Sequence, residues 1–257
     1  MDKKIKEQGI ITATEQITSD IYGMWVKTAQ IAQNAKPGQF AAIYCKEGSR
    51  LLPRPISICE IDKEAGILRF VYRVVGKGTD EFSKLTAGDK IELMGPLGNG
   101  FPLESENVIL MGGGIGIPPM LEVAKQMKGK VSVVLGYRDA ENFLKSEFEP
   151  YADVYVATED GSVGTKGNVI DAIKANSLNA DTIMACGPVP MLRGIKQYAT
   201  ENGIDAWLSM EERMACGIGA CLACVCKSKE KDSHTNVQNK RVCKDGPVFH
   251  MSEIDLD

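Results

Sequence analysis

The hydrophobic pattern of the sequence changes near residue 101, and this change constrains the fold more than any other feature. Before it, six short segments rich in Ile, Val, Thr and aromatic residues are separated by turns such as KPGQ and TAGD. Short strands at this spacing are typical of an antiparallel barrel or sandwich. After residue 106, strand-like and helix-like segments alternate. This alternation predicts a parallel sheet built from right-handed βαβ units.

The same pattern predicts three parts: an N-terminal β-barrel domain over 1–100, an α/β domain over 101–210 and a cysteine-bearing segment over 211–257. Within the first part, TDEFSKL predicts one helical turn, with Thr79 as a helix cap whose neighbouring N–H groups face an anion. In the third part, the polar stretch KSKEKDSHTNVQNKR predicts a solvated loop or hairpin.

Composition excludes several classes of protein. The net charge of −4 gives no basic footprint for nucleic acid. No run reaches the roughly 20 apolar residues that cross a bilayer, and the start does not resemble a secretory signal. We therefore expect a soluble cytoplasmic protein, in which dense cysteines more often bind metal or do redox work than form disulfides.

Half of the eight cysteines have a recognisable spacing. They form C-x4-C-x2-C followed by a fourth cysteine after eighteen residues: Cys216, Cys221, Cys224 and Cys243. This opening is the plant-type spacing for a [2Fe–2S] cluster. Gly217 and Gly219 fit a loop that wraps tightly around such a cluster.

Zinc is the alternative metal, but zinc sites usually combine two close pairs of ligands, and no second close pair exists. His234 and His250 could complete a mixed site, although neither has convincing spacing. Cys226 is interpreted as a buried neighbour that could compete as a ligand, and Cys45 and Cys59 as small buried hydrophobic residues.

Two groups of residues indicate nucleotide binding. In RPIS, Arg54 can bind a pyrophosphate and Ser57 can hydrogen-bond a flavin, while VYR adds an aromatic plane and a second cation before GKGT. Later, MGGGIGIPPM is a glycine turn between a strand and a helix, and ACGPVPML follows another buried strand. Both loops fall at the carboxyl edge of the predicted sheet, where α/β proteins bind ligands, and this position favours a functional role for Cys186.

In this order, RPIS, VYR, GKGT, GGGIGIPPM and ACGPVPML resemble the ferredoxin–NADP reductase superfamily, which pairs an FAD-binding barrel with a nicotinamide-binding α/β domain. The added ERMACGIGACLACVC and VCKDGPVF resemble the electron-transfer subunits of NAD-dependent dihydroorotate dehydrogenase type B. The resemblance spans nearly the whole chain.

The resemblance implies three sets of site residues. FAD would be bound by Arg54, Pro55, Ile56, Ser57, Val71, Tyr72, Arg73, Gly78 and Thr79. NAD+ would be bound by Gly114, Gly116, Pro119, Cys186, Gly187 and Pro188. The [2Fe–2S] cluster would be held by Cys216, Cys221, Cys224 and Cys243.

The resemblance also implies a separate FMN-containing catalytic subunit that oxidises dihydroorotate, in a heterotetramer with two copies of each chain. Electrons would pass from that subunit through the cluster and FAD to NAD+, in pyrimidine biosynthesis, with no general acid or base in this chain. Acidic residues in the segment Thr158–Asp160 favour NAD over NADP, whereas Arg138 argues weakly for NADP. The alternatives are a reductase subunit for ferredoxin, sulfide or an oxygenase, and a zinc-stabilised binding module.

Overall fold

A computed structural model describes residues 4–231 and 236–256. Its N-terminal strands close into an antiparallel barrel, in the order β1-β2-β5-β4-β3-β6. They are β1 (Ile5–Gln16), β2 (Ile21–Lys27), β3 (Phe40–Ile43), β4 (Arg54–Asp62), β5 (Ile67–Arg73) and β6 (Lys90–Leu97). The short helices α1 (Ile31–Asn34) and α2 (Lys77–Phe82) lie between strands. The barrel alternative is therefore confirmed over the sandwich.

The α/β part is a sheet whose core strands are parallel, as the alternating pattern predicts. The strands are β7 (Asn107–Gly113), β8 (Lys130–Tyr137), β9 (Asp153–Thr158), β10 (Thr165–Lys166), β11 (Thr182–Cys186) and β12 (Asp205–Ser209). The helices are α3 (Pro118–Gln126), α4 (Lys145–Phe148), α5 (Val169–Ala175) and α6 (Val189–Asn202). The sheet order is β10-β9-β8-β7-β11-β12, so the loops after β7 and β11 emerge side by side.

The cysteine-bearing segment is built into the α/β sheet. It contains β13 (Val225–Lys227), β14 (Asn239–Arg241), α7 (Val242–Asp245) and β15 (Val248–His250). Strands β13 and β14 form a hairpin, which confirms one of the two structures expected for the polar stretch. Strand β15 pairs antiparallel with β12 and extends the sheet, a contact that its three residues do not predict.

Asn99, in the connection between barrel and sheet, fastens the cysteine-bearing segment to both. Its side chain donates to the Val248 carbonyl at 2.8 Å and accepts from the Val248 N–H at 3.0 Å. Its backbone N–H donates to the Gly246 carbonyl at 2.7 Å. One buried apolar cluster accordingly contains Leu97 of the barrel, residues of the sheet and Cys243. The three parts share a core.

A buried ion network joins the barrel to the helices of the α/β part. Arg69 on β5 is only 4% exposed and pairs with Glu60 at 2.7 Å and with Glu147 on α4. Lys125 on α3 also pairs with Glu60. Burial alone would raise the pKa of Glu60, but the hydrogen bonds from Lys125 and Arg69 outweigh burial and lower it.

We expect Arg69→Met to destabilise the protein, because it leaves two carboxylates without their shared partner in a poorly solvated site. Removing one member of a buried ion pair costs several kcal/mol, and the partial exposure of Glu147 reduces this to about 2 kcal/mol. At this size, that loss lowers the melting temperature by about 4–8 °C. Thermal unfolding measures it, with Lys84→Met, which breaks an exposed pair with Asp80, as the control. Equal melting temperatures for the two variants would contradict the expectation.

Within the described residues, no helix combines the length and the apolar character that a membrane crossing requires.

Candidate functional site

The first element of the site is the contact between Arg54, at the start of β4, and Gly78 in α2. A Cβ at Gly78 would overlap the Arg54 guanidinium, 2.5 Å from its Cζ atom, so a larger residue there would displace the Arg54 side chain. The Arg54 side chain also donates to the Leu52 carbonyl. Together Arg54 and Gly78 form a cationic cradle, which suits a phosphate.

Thr79 takes part in capping this helix, as the sequence predicts, but from the third helical position and not from the N-cap position. The helix begins one residue after Gly76, and Thr79 is its third residue. The Thr79 hydroxyl accepts hydrogen bonds from the N–H groups of Val75 at 3.0 Å and Gly76 at 3.3 Å. It fixes the turn that holds Gly78 in place.

The residues of RPIS are half-buried on β4 but do not share a face. Successive side chains on a strand point to opposite sides, so Arg54 and Ser57 face different ways. Ile56 packs against the core of the barrel, whereas the buried Cys59, which shares its face with Pro55 and Ser57, packs in the cluster of the α/β part. The Arg54 and Ser57 side chains therefore leave β4 on opposite sides, and the length of the Arg54 side chain decides whether one ligand touches both.

Strand β5 divides its predicted site residues in the same way. Val71 packs toward the α/β part, and Arg73 lines the cleft there and pairs with Asp20 at 3.0 Å. Tyr72 is buried in the barrel core, stacked near Tyr22 and edge-on to Phe82. The Tyr72 ring therefore packs behind the residues of β5 that face the α/β part. It has no exposed aromatic face for a ligand.

The two loops at the carboxyl edge of the sheet are in direct contact. A Cβ at Gly116 would fall 2.5 Å from the carbonyl carbon of Cys186 and 2.7 Å from the Gly187 nitrogen. Met191 lies over both Gly113 and Gly187. Gly116 is therefore required by a backbone-to-backbone approach, the close packing that a glycine turn in an α/β nucleotide site serves.

These loops border a cleft of about 620 Å³ between barrel and sheet. Gly114, Pro188 and Arg73 line it, whereas Gly116, Cys186 and Gly187 form the contact behind its edge, and Pro119 is buried at the second position of α3. Cys186 is half-buried, and its poor solvation raises the pKa of its thiol to about 12 despite a hydrogen bond to Ser209. The thiol is therefore protonated at neutral pH. The cleft is also lined by residues that no sequence motif indicates, among them Asp20, Gly113, Tyr137, Asn168 and Met191.

One acidic residue of the segment Thr158–Asp160 faces the cleft. Glu159 lines it, as does Arg138. The Thr158 hydroxyl donates a hydrogen bond to the Val163 carbonyl. The Asp160 carboxylate accepts hydrogen bonds from the N–H and the hydroxyl of Ser162. Asp139 and Glu141 line the cleft as well, so any discrimination against a 2′-phosphate depends on the balance of these carboxylates and Glu159 against Arg138.

The four spaced cysteines come together as two pairs. The Cys221 side chain is close enough to Cys216 to lower the pKa of its thiol, and the Cys224 side chain is close enough to Cys243 to raise the pKa of that thiol. The charge of Cys216 also raises the pKa of Cys243, so the two pairs are neighbours. Among residues 4–231 and 236–256, no three His, Cys, Asp or Glu side chains are arranged to hold one metal ion. Two pairs of thiolates are the ligand set that a two-iron cluster takes from a protein.

Backbone N–H groups of the cysteine loop point at the sulfurs. Cys216 accepts from Ile218 at 3.5 Å and from Cys221 at 3.4 Å, and Cys243 accepts from Gly219 at 3.1 Å. Burial alone would raise the pKa of Cys216, but these donors lower it to about 6. Burial and the Cys224 thiol raise the pKa of Cys243 to about 12. The loop thus favours a thiolate at its start, and its donors suit the sulfurs of an iron–sulfur cluster.

The other candidate ligands point elsewhere. The Cys226 thiol donates to the Lys240 carbonyl at 3.6 Å and is buried. His250 contacts Ser252 and Asp205 through its two ring nitrogens, and His234 lies outside the described residues. Cys59 is fully buried and Cys45 is half-buried.

Two sequence families match parts of the chain. Residues 211–255 match the iron-sulfur cluster binding domain of dihydroorotate dehydrogenase B, and residues 110–197 match the oxidoreductase NAD-binding domain. The first match contains all four paired cysteines.

Individual relatives are similar over nearly their full length. The dihydroorotate dehydrogenase B (NAD(+)) electron transfer subunit of Fusobacterium nucleatum is 43% identical, covering 94% of this chain and 95% of the relative. The subunit of the same name from Listeria monocytogenes is also 43% identical, covering 97% and 98%.

Solved structures share the fold. An NADH-dependent reduced ferredoxin-NADP oxidoreductase superimposes with a TM-score of 0.87 at 32% identity, covering 97% of this chain and 90% of that one. A ferredoxin NADP+ reductase from Neisseria gonorrhoeae superimposes with a TM-score of 0.64 at 17% identity, over 77% of this chain and 92% of its own, a likeness of fold alone. The two electron transfer subunits, each 43% identical over nearly the full length of both chains, show that the chain belongs to the family of dihydroorotate dehydrogenase B (NAD(+)) electron transfer subunits.

Proposed function

We propose that this chain passes electrons from an FMN-containing dihydroorotate dehydrogenase catalytic subunit to NAD+, in pyrimidine biosynthesis. The observation that carries the proposal is the presence of two adjacent thiol pairs on the same chain as a glycine-lined cleft for a nucleotide. When bound, a [2Fe–2S] cluster supplies one-electron transfer, and FAD converts single electrons into the hydride that nicotinamide accepts.

The thiol pairs assign a role to each cluster ligand. Cys216 and Cys221 would hold one iron, and Cys224 and Cys243 the other. The N–H donors of the loop would then stabilise the negative charge on the cluster.

The FAD site would extend around β4 and β5. The cradle of Arg54 and Gly78 would bind the pyrophosphate, and Ser57, on the opposite face, would hydrogen-bond the flavin. Further members of the proposed site are Pro55, Ile56, Val71, Arg73 and Thr79, with Tyr72 supporting it from the core. This division follows from the two faces of the strands.

The nicotinamide site would occupy the cleft at the sheet edge. Gly114 and Pro188 would contact the dinucleotide, while Gly116, Cys186, Gly187 and Pro119 keep the two loops in contact. Cys186 would orient the nicotinamide as a neutral thiol, because its pKa lies near 12. No proton transfer by this chain is required.

The partner would dock at the cysteine loop. Ile218 and Leu222 of this loop are exposed apolar side chains next to cluster ligands, the kind of surface that a protein interface covers. We propose a heterotetramer with two copies of each subunit, in which dihydroorotate oxidation belongs to the catalytic subunit.

Reconstitution tests this function. The chain alone, loaded with FAD and cluster, should not reduce NAD+ with dihydroorotate, and addition of the FMN subunit should produce that activity. Absence of activity in a correctly assembled complex would contradict the proposal.

A reductase of ferredoxin, sulfide or an oxygenase is the second candidate, and the 32% identical ferredoxin-NADP oxidoreductase structure supports it. Efficient reduction of a ferredoxin by NADH, without any dihydroorotate activity in the complex, would favour this candidate.

We expect Glu159→Gln to shift cofactor preference toward NADP+. The Glu159 carboxylate repels a 2′-phosphate, and its loss reduces the negative charge that opposes Arg138, leaving Asp139 and Glu141 in the same cleft. We expect the ratio of kcat/KM for NADP+ to that for NAD+ to rise by roughly tenfold, equivalent to about 1.4 kcal/mol. Asp160→Asn is the control, since this carboxylate is used by Ser162. An equal shift in both variants would mean that long-range charge, not contact, sets the preference.

We also propose a cytoplasmic location. All eight cysteines are free thiols in the structure, as expected for a reducing compartment.

A further inference from the structure

Arg241 links the β13–β14 hairpin to the cysteine loop. It is the last residue of β14, pairs across the hairpin with Val225 and lies two residues before Cys243. Its Nη1 donates to the Gly219 carbonyl at 3.1 Å, and the N–H of the same glycine donates to Cys243 Sγ at 3.1 Å. The guanidinium therefore holds a loop residue that donates to the opposite thiol pair.

Asp245 holds Arg241 in turn. One carboxylate oxygen of Asp245 accepts from the Arg241 backbone N–H at 2.8 Å and from its Nε at 3.3 Å. Both side chains are about three-quarters buried, so the contact is less screened than a surface ion pair. The backbone carbonyl of Cys224 also accepts from the N–H of Val242 at 2.9 Å, which fixes the position of Arg241 beside the ligands.

The backbone conformation and the close neighbours of Gly219 leave little room for a side chain at this position. Its φ of +82° is in the left-handed region, and a Cβ there would fall 2.7 Å from Cδ of Lys244. The stem of Lys244 therefore lies along the glycine from one side while Arg241 binds its carbonyl. A second cation beside the same residue supplies a matched control.

We propose that Arg241, held by Asp245, is a positioning residue that fixes Gly219 so that its N–H donates to Cys243 Sγ and raises the reduction potential of the cluster. The inference rests on the proposed function, because it requires the cluster. A hydrogen bond to a cluster sulfur stabilises the extra negative charge of the reduced state, so its loss lowers the potential. The Gly219 contact is shorter than both N–H contacts to Cys216.

The test is a redox titration of the isolated, cluster-loaded chain, followed by electron paramagnetic resonance. At the wild-type midpoint, we expect Arg241→Met to lower the ratio of reduced to oxidised cluster by roughly tenfold, which corresponds to about 59 mV for one electron. Lys244→Met removes a positive charge of the same size from an exposed neighbouring side chain but no bond to the Gly219 carbonyl, and it should change the ratio much less. Equal effects of the two variants would reduce the role of Arg241 to its charge and overturn the proposal.

The Asp245→Ala variant distinguishes the positioning role of Arg241 from a simple charge effect, because the two predict opposite shifts of the reduction potential. Loss of a negative charge near the cluster would by itself raise the potential, whereas release of Arg241 would lower it. A lower potential supports the proposal, and a higher one overturns it.

If the Asp245→Ala protein does not fold, resonance Raman spectroscopy of the wild-type chain and of Arg241→Met provides a second test. In D2O, the Fe–S(Cys) vibrations of the wild-type chain should shift in resonance Raman spectra, and Arg241→Met should reduce this shift. An undiminished shift overturns the proposal. A folded wild-type chain that binds no cluster would contradict the proposed function itself, whereas normal cluster binding with unchanged potentials would contradict the role of Arg241 alone.

Discussion

In the Cys221→Ala variant, we expect bound iron and acid-labile sulfide to fall by roughly tenfold or more, because the cluster loses a ligand that no neighbouring group replaces. Cys221 pairs with Cys216, whereas the Cys226 thiol is turned toward the Lys240 carbonyl. FAD should be retained, since Arg54 and Gly78 lie on the barrel. Iron, sulfide and flavin analyses of the same purified sample measure both outcomes.

Cys226→Ala is the matched control for this loss. It removes a buried thiol from the same segment, and we expect it to keep its iron. Full iron in Cys221→Ala together with loss of iron in Cys226→Ala would show that the ligand set includes Cys226 in place of Cys221.

The Gly116→Ala variant should bind NAD+ roughly a hundredfold more weakly, because displacing positioning groups by about 1 Å has effects of this size. The added methyl group would overlap the backbone of Cys186 and Gly187, and backbone atoms cannot rotate away as a side chain can. The two loops that border the cleft must then separate. Titration of NAD+ against flavin fluorescence measures the binding, and flavin content shows whether the barrel is intact.

Gly194→Ala makes the same chemical change in the interior of α6, where a Cβ meets nothing within 4 Å. It should leave NAD+ binding unchanged and stabilise the helix by about 0.5–1 kcal/mol. Wild-type affinity in Gly116→Ala would contradict the assigned role of the loop contact.

Local pattern predicts the barrel and the alternating α/β part because both have clear hydrophobic periods. Each predicted strand and helix up to residue 210 is present, with shifted ends. The sequence does not predict that β15 joins the sheet, because Val248–His250 is too short to show a period and its pairing with β12 is a long-range contact. The division at residues 100 and 210 stays a prediction, and the core shared by Leu97, Leu208 and Cys243 crosses both boundaries.

The site was predictable where chemistry follows from spacing and less so where it depends on which way side chains face. The spacing of the cysteines identifies four thiols but not their pairing, which arises when α7 brings Cys243 to Cys224. The alternation on β5 turns Tyr72 into the barrel core and Arg73 toward the cleft, a distinction that depends on where the α/β part packs. The contact between Arg241 and Gly219 joins residues 22 positions apart and has no sequence motif.

The central claim is that two pairs of thiolates hold a two-iron cluster in the residues that follow the α/β sheet. Spin quantitation by electron paramagnetic resonance, on anaerobically purified chain reduced with dithionite, tests it most directly. We predict a signal of about one unpaired electron per chain, as expected of a reduced [2Fe–2S] centre. A folded, flavin-containing protein that gives no such signal would contradict it.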